Sequence, residues 1–194
     1  MQATEFQARS QLRWAVYGLL IVVCASVTTA RVMSVTNRHQ KTPFLSANDR
    51  SRIATMRGLV EHGTYAIDEI IYKTNKGQVL RDENEEPIRN GVWHTIDMVR
   101  HTDRDGTLRS YSSKPTLLPT LLAGEYWVVH QLTDSTLGEE PFYVGRILLM
   151  LTNVIPLVLY LLVMAFIIED WGSTDWGRVF AMTAAAFGTF LPTF

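Results

Sequence analysis

From Ile147 to Ile168 the chain reads ILLMLTNVIPLVLYLLVMAFII, 22 residues without a charge. As a helix this run is about 33 Å long, enough to cross the hydrocarbon core of a bilayer. A segment in lipid must satisfy its own backbone hydrogen bonds, and a helix does so within itself. The run therefore predicts a transmembrane helix over 146–168. Asn153 and Pro156 inside it predict a bundle-facing side and a kink, because neighbouring helices can satisfy both.

A second apolar run, WAVYGLLIVVCASVTTA from Trp14 to Ala30, makes about 26 Å of helix. It is read as a first transmembrane helix over 14–35, behind a polar cytoplasmic tail over 1–13 that carries Arg9 and Arg13. The same residues also fit a cleaved signal peptide, with the two arginines as its basic region and Thr28-x-Ala30 as its cleavage site. The later apolar runs favour the anchor. Val179 to Phe194 reads as the start of a third transmembrane helix after a cytoplasmic turn over 169–178. The fold class expected is thus a multi-pass α-helical membrane protein, of which this sequence is read as the N-terminal part. The location expected is the cytoplasmic (inner) membrane, with residues 36–145 as an extracytoplasmic loop. This orientation rests on Arg9 and Arg13, and the net acidic turn at 169–178 runs mildly against it.

Composition excludes other classes. The mean hydropathy is only +0.05 because the apolar residues are bunched between polar stretches. A net charge of −1 supplies no basic field for nucleic acid. The single cysteine, Cys24, permits neither an intrachain disulfide nor a CxxC metal site.

The loop is read as α+β with two juxtamembrane helices. Ser46-Ala47-Asn48-Asp49 resembles an N-cap, and Ile53, Met56, Leu59 and Val60 then recur at helical spacing up to Gly63, which predicts a helix over 47–62. Arg50, Arg52 and Arg57 lie elsewhere around it, so this helix either rests on the membrane with its arginines at the headgroups or packs on the loop. Residues 64–112 are read as an insert of two β-hairpins. Its strands are expected at Tyr65–Tyr72, Gln78–Leu80, Val92–Arg100 and Thr107–Tyr111. Its turns are expected at Asn75-Lys76-Gly77 and Asp105-Gly106, with an exposed loop over Arg81–Gly91. Over 115–132 a leucine-rich helix is expected at the interface, with Pro115 in its first turn, Pro119 bending it, and Tyr126 and Trp127 as headgroup-level anchors. His94, Asp97 and His101 share a helical spacing, but the β-like pattern separates them, so they are not read as metal ligands.

The order of these motifs resembles a family. A first span, an acidic pair opening a juxtamembrane helix, a glycine before an aromatic, and Lys-Pro before a leucine-rich helix look like the polyprenyl-phosphate-dependent GT-C glycosyltransferases. The resemblance is to the protein O-mannosyltransferase and aminoarabinose transferase branch. That branch reads roughly D-E-x-x-Y-A-x-x-x-R-x-M-L-x-x-G-x-W and F-x-K-P-P-L-x-Y-W where this chain reads NDRSRIATMRGLVEHGTY and YSSKPTLLPTLLAGEYW. The likeness covers roughly residues 44–168. It implies transfer of a sugar from a polyprenyl-phosphate donor in the membrane to an acceptor hydroxyl, with a carboxylate as general base. The same register puts Asn48 on the family's catalytic aspartate and Asp49 on the second acidic residue. Because Asn48 cannot accept a proton, the resemblance implies Asp49 as base or a catalytically altered branch. Lys114, with Arg57 or Arg52, is implied to hold the lipid phosphate. Thr116 in place of the second proline is a further departure. Some members of the family use a divalent metal, and this chain's requirement stays open. The alternatives are a membrane-anchored extracytoplasmic binding or sensing module and an inactive family member.

Overall fold

A computed structural model describes residues 2–35, 42–73, 78–79, 81, 83, 88 and 92–188. The chain divides into two units, Met1–Val35 with Leu149–Phe194, and Thr36–Leu148.

The first unit is helical. Helix α1 spans Gln2–Ser34, α6 spans Ile155–Trp171 and α7 spans Asp175–Phe187. Their buried residues recur every three or four positions, which is one stripe per helix: Tyr17, Ile21 and Cys24 on α1, Leu157, Leu161, Ala165 and Ile168 on α6, and Met182, Ala185 and Ala186 on α7. Alanines on this seam let the backbones approach, and the Cys24 thiol reaches the carbonyl of Ala186 at 3.3 Å. Two stretches, Gln7–Ser34 and Pro141–Trp171, are long and apolar enough to cross a membrane. Only 22% and 17% of their most apolar windows are buried within the protein, whereas the core helix of a soluble protein would be mostly covered.

Pro141–Trp171 is α5 (Pro141–Leu149) and α6 joined by a π-helical turn, Met150–Val154. Pro156 explains the turn, since it has no N–H and its ring crowds the carbonyl four residues back, so the ladder widens. The expectation that Asn153 faces a bundle needs correction. Asn153 is exposed, and its amide donates to the carbonyl of Leu149 at 2.8 Å, back-bonding its own helix where the ladder is disturbed.

One end of this unit is closed by charge. The Arg13 guanidinium donates to both Glu169 carboxylate oxygens at 2.8 and 3.0 Å and to Asp175 at 2.6 Å. The Tyr17 hydroxyl donates to Glu169 at 3.0 Å, and Arg178 donates to the Glu169 carbonyl at 3.1 Å. Two of the three acidic residues in the turn, Glu169 and Asp175, are thereby paired with Arg13 within this unit.

The second unit holds α2 (Ala47–His62), α3 (Asp68–Ile71), a hairpin of β1 (Met98–Thr102) and β2 (Leu108–Ser112), α4 (Leu117–Thr133) and α5. Helix α2 has the expected bounds. Ser46 caps its first turn, and Gly63 ends it at φ 67°, a left-handed conformation that glycine adopts without strain. It is not a surface helix, because every residue from Ile53 to Gly58 is buried. Tyr65–Tyr72 is not a strand. It contains α3, whose N-terminal Asp68 accepts from the backbone N–H of Ser110 at 2.8 Å and ties the short helix to β2. The described residues hold one two-stranded sheet, with an isolated bridge Lys73–Val79 where a second hairpin was expected. The turn at 75–77, most of the 81–91 loop and residues 189–194 of the third apolar run lie outside the described residues. Helix α4 starts at Leu117, so Pro119 falls in its first turn, where its missing N–H costs nothing and causes no bend.

Arg13 and Glu169 are 7% and 17% exposed, so removing one partner strands the other in a poorly solvated site. Arg13→Ala is expected to destabilise the folded protein by about 3–5 kcal/mol. The check is the thermal midpoint of the purified protein in detergent, which falls well below that of an Arg9→Ala control.

Candidate functional site

The site is built by the hairpin. Asp103 and Thr107 close the turn at 2.9 Å, and Gly106 takes φ 78° within it. The register pairs Met98 with Ser112, which sets Asp97 beside Ser113, and the Ser113 N–H donates to the Asp97 carbonyl at 3.2 Å. Lys114 follows at once, and its Nζ lies 3.4 Å from Asp97 Oδ1. Helix α2 contributes Ser51, whose hydroxyl donates to the Asp97 carbonyl at 2.5 Å and shares a 2.6 Å hydrogen bond with the Ser112 hydroxyl. Ser112 Oγ also accepts from the backbone N–H of Lys114 at 3.2 Å. A cation, a carboxylate and two hydroxyls thus converge at the mouth of α4.

The Lys114 and Asp97 side chains are 27% and 24% exposed. A pair that retains this much water gains about 0–1 kcal/mol from its attraction. It is held weakly enough for an incoming anion to displace one partner from the other.

The residues read from sequence fall in different places. Asp49 is not Lys114's partner. It is exposed at the third position of α2, where its N–H donates to Ser46 Oγ at 3.0 Å and its Oδ2 accepts from the same hydroxyl at 2.6 Å, which is reciprocal end-capping. Asn48 is exposed beside it, and Arg52 is half-buried. Arg50 donates to the carbonyls of His94 at 2.7 Å and Leu45 at 2.8 Å, a structural strap.

Arg57 is turned into the protein. It is 5% exposed, lies over the Trp93 ring at 4.6 Å, and grips Glu61 with Nε to Oε1 at 2.8 Å and Nη2 to Oε2 at 2.6 Å. Glu61 Oε1 also accepts from the Tyr126 hydroxyl at 2.7 Å, and that hydroxyl in turn accepts from the Leu137 N–H at 2.9 Å. Tyr126, expected as a headgroup anchor, is fully buried, whereas Trp127 is exposed. Burial and the neighbouring Glu61 charge push the Tyr126 phenol well above its ordinary range, so it remains a proton donor to that carboxylate.

Asp97 is the residue that the motif reading missed. The Asp105-Gly106 turn carries the signal: pairs counted outward from residue 105 bring 97 opposite 113. Among the described residues no three His, Cys, Asp or Glu side chains form a group that could hold a metal ion.

Tyr126→Phe removes a donor from Glu61 and an acceptor from Leu137 while keeping the ring. The expected cost is about 1–3 kcal/mol of stability, the penalty for leaving buried polar groups unpaired. Thermal unfolding in detergent measures it, with Tyr143→Phe, a partly exposed position, as the control that stays near wild type.

The chain matches no protein-family model, no curated protein and no solved structure.

Proposed function

We propose that this chain forms the donor-phosphate end of a membrane glycosyltransferase, with its loop outside the cytoplasm, which moves a sugar from a polyprenyl phosphate to an acceptor hydroxyl. The observation that carries the reading is the approach of Lys114 to Asp97 at the start of an apolar helix, in a chain with two helices of membrane length. Lys114 supplies a positive point charge for the lipid phosphate. Asp97, within reach of the same space, supplies the base that Asn48 cannot and that Asp49, engaged in capping, is poorly placed to be.

In the reaction proposed, the Asp97 carboxylate takes the proton of the acceptor hydroxyl as its oxygen bonds to the anomeric carbon. The bond from that carbon to the phosphate oxygen breaks with its electron pair. Polyprenyl phosphate leaves with one more negative charge on its headgroup, which Lys114 stabilises. The resting ion pair suits this sequence, because a phosphate that captures Lys114 releases the Asp97 carboxylate to act as base. Ser51 and Ser112 are positioning residues that hold the Asp97 backbone and the Lys114 turn. A second reading, a non-catalytic module that binds phosphorylated lipid, is favoured by Asn48 at the position where the resembled family has its catalytic aspartate.

The test uses the full-length protein in proteoliposomes with polyprenyl-phosphate-linked hexose and pentose donors. Lys114→Ala is expected to raise the donor KM about tenfold or more, the loss of one charge-assisted contact. Asp97→Asn is expected to lower kcat by about 10²–10⁴ with donor KM little changed. Asp49→Asn should leave kcat close to wild type. A kcat loss at Asp49 with none at Asp97 reverses the assignment of the base. Donor binding without transfer by the wild type leaves the second reading in its place.

A further inference from the structure

Asp97 stands one residue ahead of β1, and the strand ladder reaches it only through the Ser113 N–H on its carbonyl. It is also the middle of a tight three-residue turn, in which the Met98 N–H donates back to the Ile96 carbonyl at 3.0 Å. Sheet pairing alone therefore does not fix where its side chain leaves the backbone. The residues just before it are held by the first turn of α2. Arg50 Nε donates to the His94 carbonyl at 2.7 Å, and the Thr95 hydroxyl donates to the Ala47 carbonyl at 2.8 Å. The same Thr95 oxygen accepts from the Asp97 N–H at 3.1 Å. Thr95 is fully buried, so bulk water does not compete for either bond.

We infer that Thr95 is a positioning residue for the base of the proposed transfer: its hydroxyl, anchored on α2, fixes the Asp97 N–H and so the direction in which the carboxylate leaves the backbone beside Lys114. The inference rests on the transferase reading for its chemistry and on these hydrogen bonds for its geometry. With Ser51 on the Asp97 carbonyl and Thr95 on its N–H, the peptide groups on both sides of the Asp97 Cα are tied to α2. The Cβ then points one way, and only the side-chain torsions stay free. That division suits a general base. The backbone must hold still, because a misplacement of about 1 Å costs about 10²-fold in rate, whereas the carboxylate must turn from Lys114 to the acceptor hydroxyl. A hydroxyl can donate and accept at once, which this joint between Ala47 and Asp97 requires. Valine would keep the branched shape of threonine without either bond, and serine would keep both bonds without the methyl group.

The test uses the full-length protein in proteoliposomes with polyprenyl-phosphate-linked hexose and pentose donors. Thr95→Val is expected to lower kcat about 10- to 100-fold with donor KM little changed, and Thr95→Ser to restore most of that loss. In an Asp97→Asn background, adding Thr95→Val is expected to cost almost nothing further, because two residues that act as a unit are not additive. A merely structural threonine predicts the same loss in both backgrounds, and that result overturns the inference, as does a wild-type kcat in Thr95→Val or a Thr95→Ser as impaired as the valine variant. A second readout needs no turnover. Amide hydrogen exchange at Asp97 is expected to be about tenfold faster or more in Thr95→Val than in wild type and Thr95→Ser. A wild type that transfers from none of these donors sinks the transferase reading but not the hold of Thr95 on Asp97, which equal exchange in the three proteins overturns.

Discussion

The second unit depends on a single carboxylate. Glu61, one residue from the end of α2, receives both arms of Arg57 and the hydroxyl of Tyr126, 65 positions later in sequence, and so joins α2 to α4. Arg57 cannot be buried without a counter-charge, and Glu61 cannot be buried without donors for its lone pairs. Each makes the other tolerable, and Trp93 closes the guanidinium's open face. Tyr126 then passes the constraint to the loop after α4 through the Leu137 N–H. Since α4 begins three residues after Lys114, the clasp that locates the helix also locates the lysine.

A comparable arrangement serves the helical unit, where Arg13 is gripped by Glu169 and Asp175 and Tyr17 supplies the additional donor. In both clusters an arginine meets a carboxylate bidentately, and a tyrosine completes the carboxylate's shell. Lysine could not replace either arginine, because a single ammonium cannot span both oxygens of a carboxylate with parallel hydrogen bonds. Lys114 and Asp97 differ on each count: one contact at 3.4 Å, no bidentate geometry, and a quarter of each side chain in water. The arginine pairs hold helices together, whereas the lysine pair has the looseness that exchange with a ligand requires.

What could be read from the chain alone depended on how local its cause was. Helix α2 was legible to the residue because Ser46 and Gly63 are local signals, and the long apolar run was legible because hydrophobicity needs no partner. Tyr65–Tyr72 was misread because its isoleucines and aromatics suit a strand, while its conformation is set by the Asp68 carboxylate accepting from the Ser110 N–H, 42 residues away. The fates of Arg57 and Tyr126 were illegible for the same reason: on a helical wheel a buried, satisfied arginine looks like one that reaches for headgroups. Only the knowledge that Glu61 and Trp93 meet it distinguishes the two. Asp49 shows the converse case, in which the motif order says nothing of the hydroxyl three residues earlier that engages its carboxylate and its N–H.

The position of Asp97 lay between these cases. Its neighbour is set by hairpin parity, and once the turn is centred on residue 105 the pairing of 97 with 113 follows from the two-residue period of the strands. A shift of one residue in that register would send Asp97 to the other face of the sheet and leave Lys114 without a carboxylate. Ser51 guards against the slip from outside the sheet, since its hydroxyl binds the Asp97 carbonyl and Ser112 together, one group from each strand. The proposed site therefore depends on α2 twice, through Glu61 for the position of α4 and through Ser51 for the register that delivers the carboxylate to the lysine.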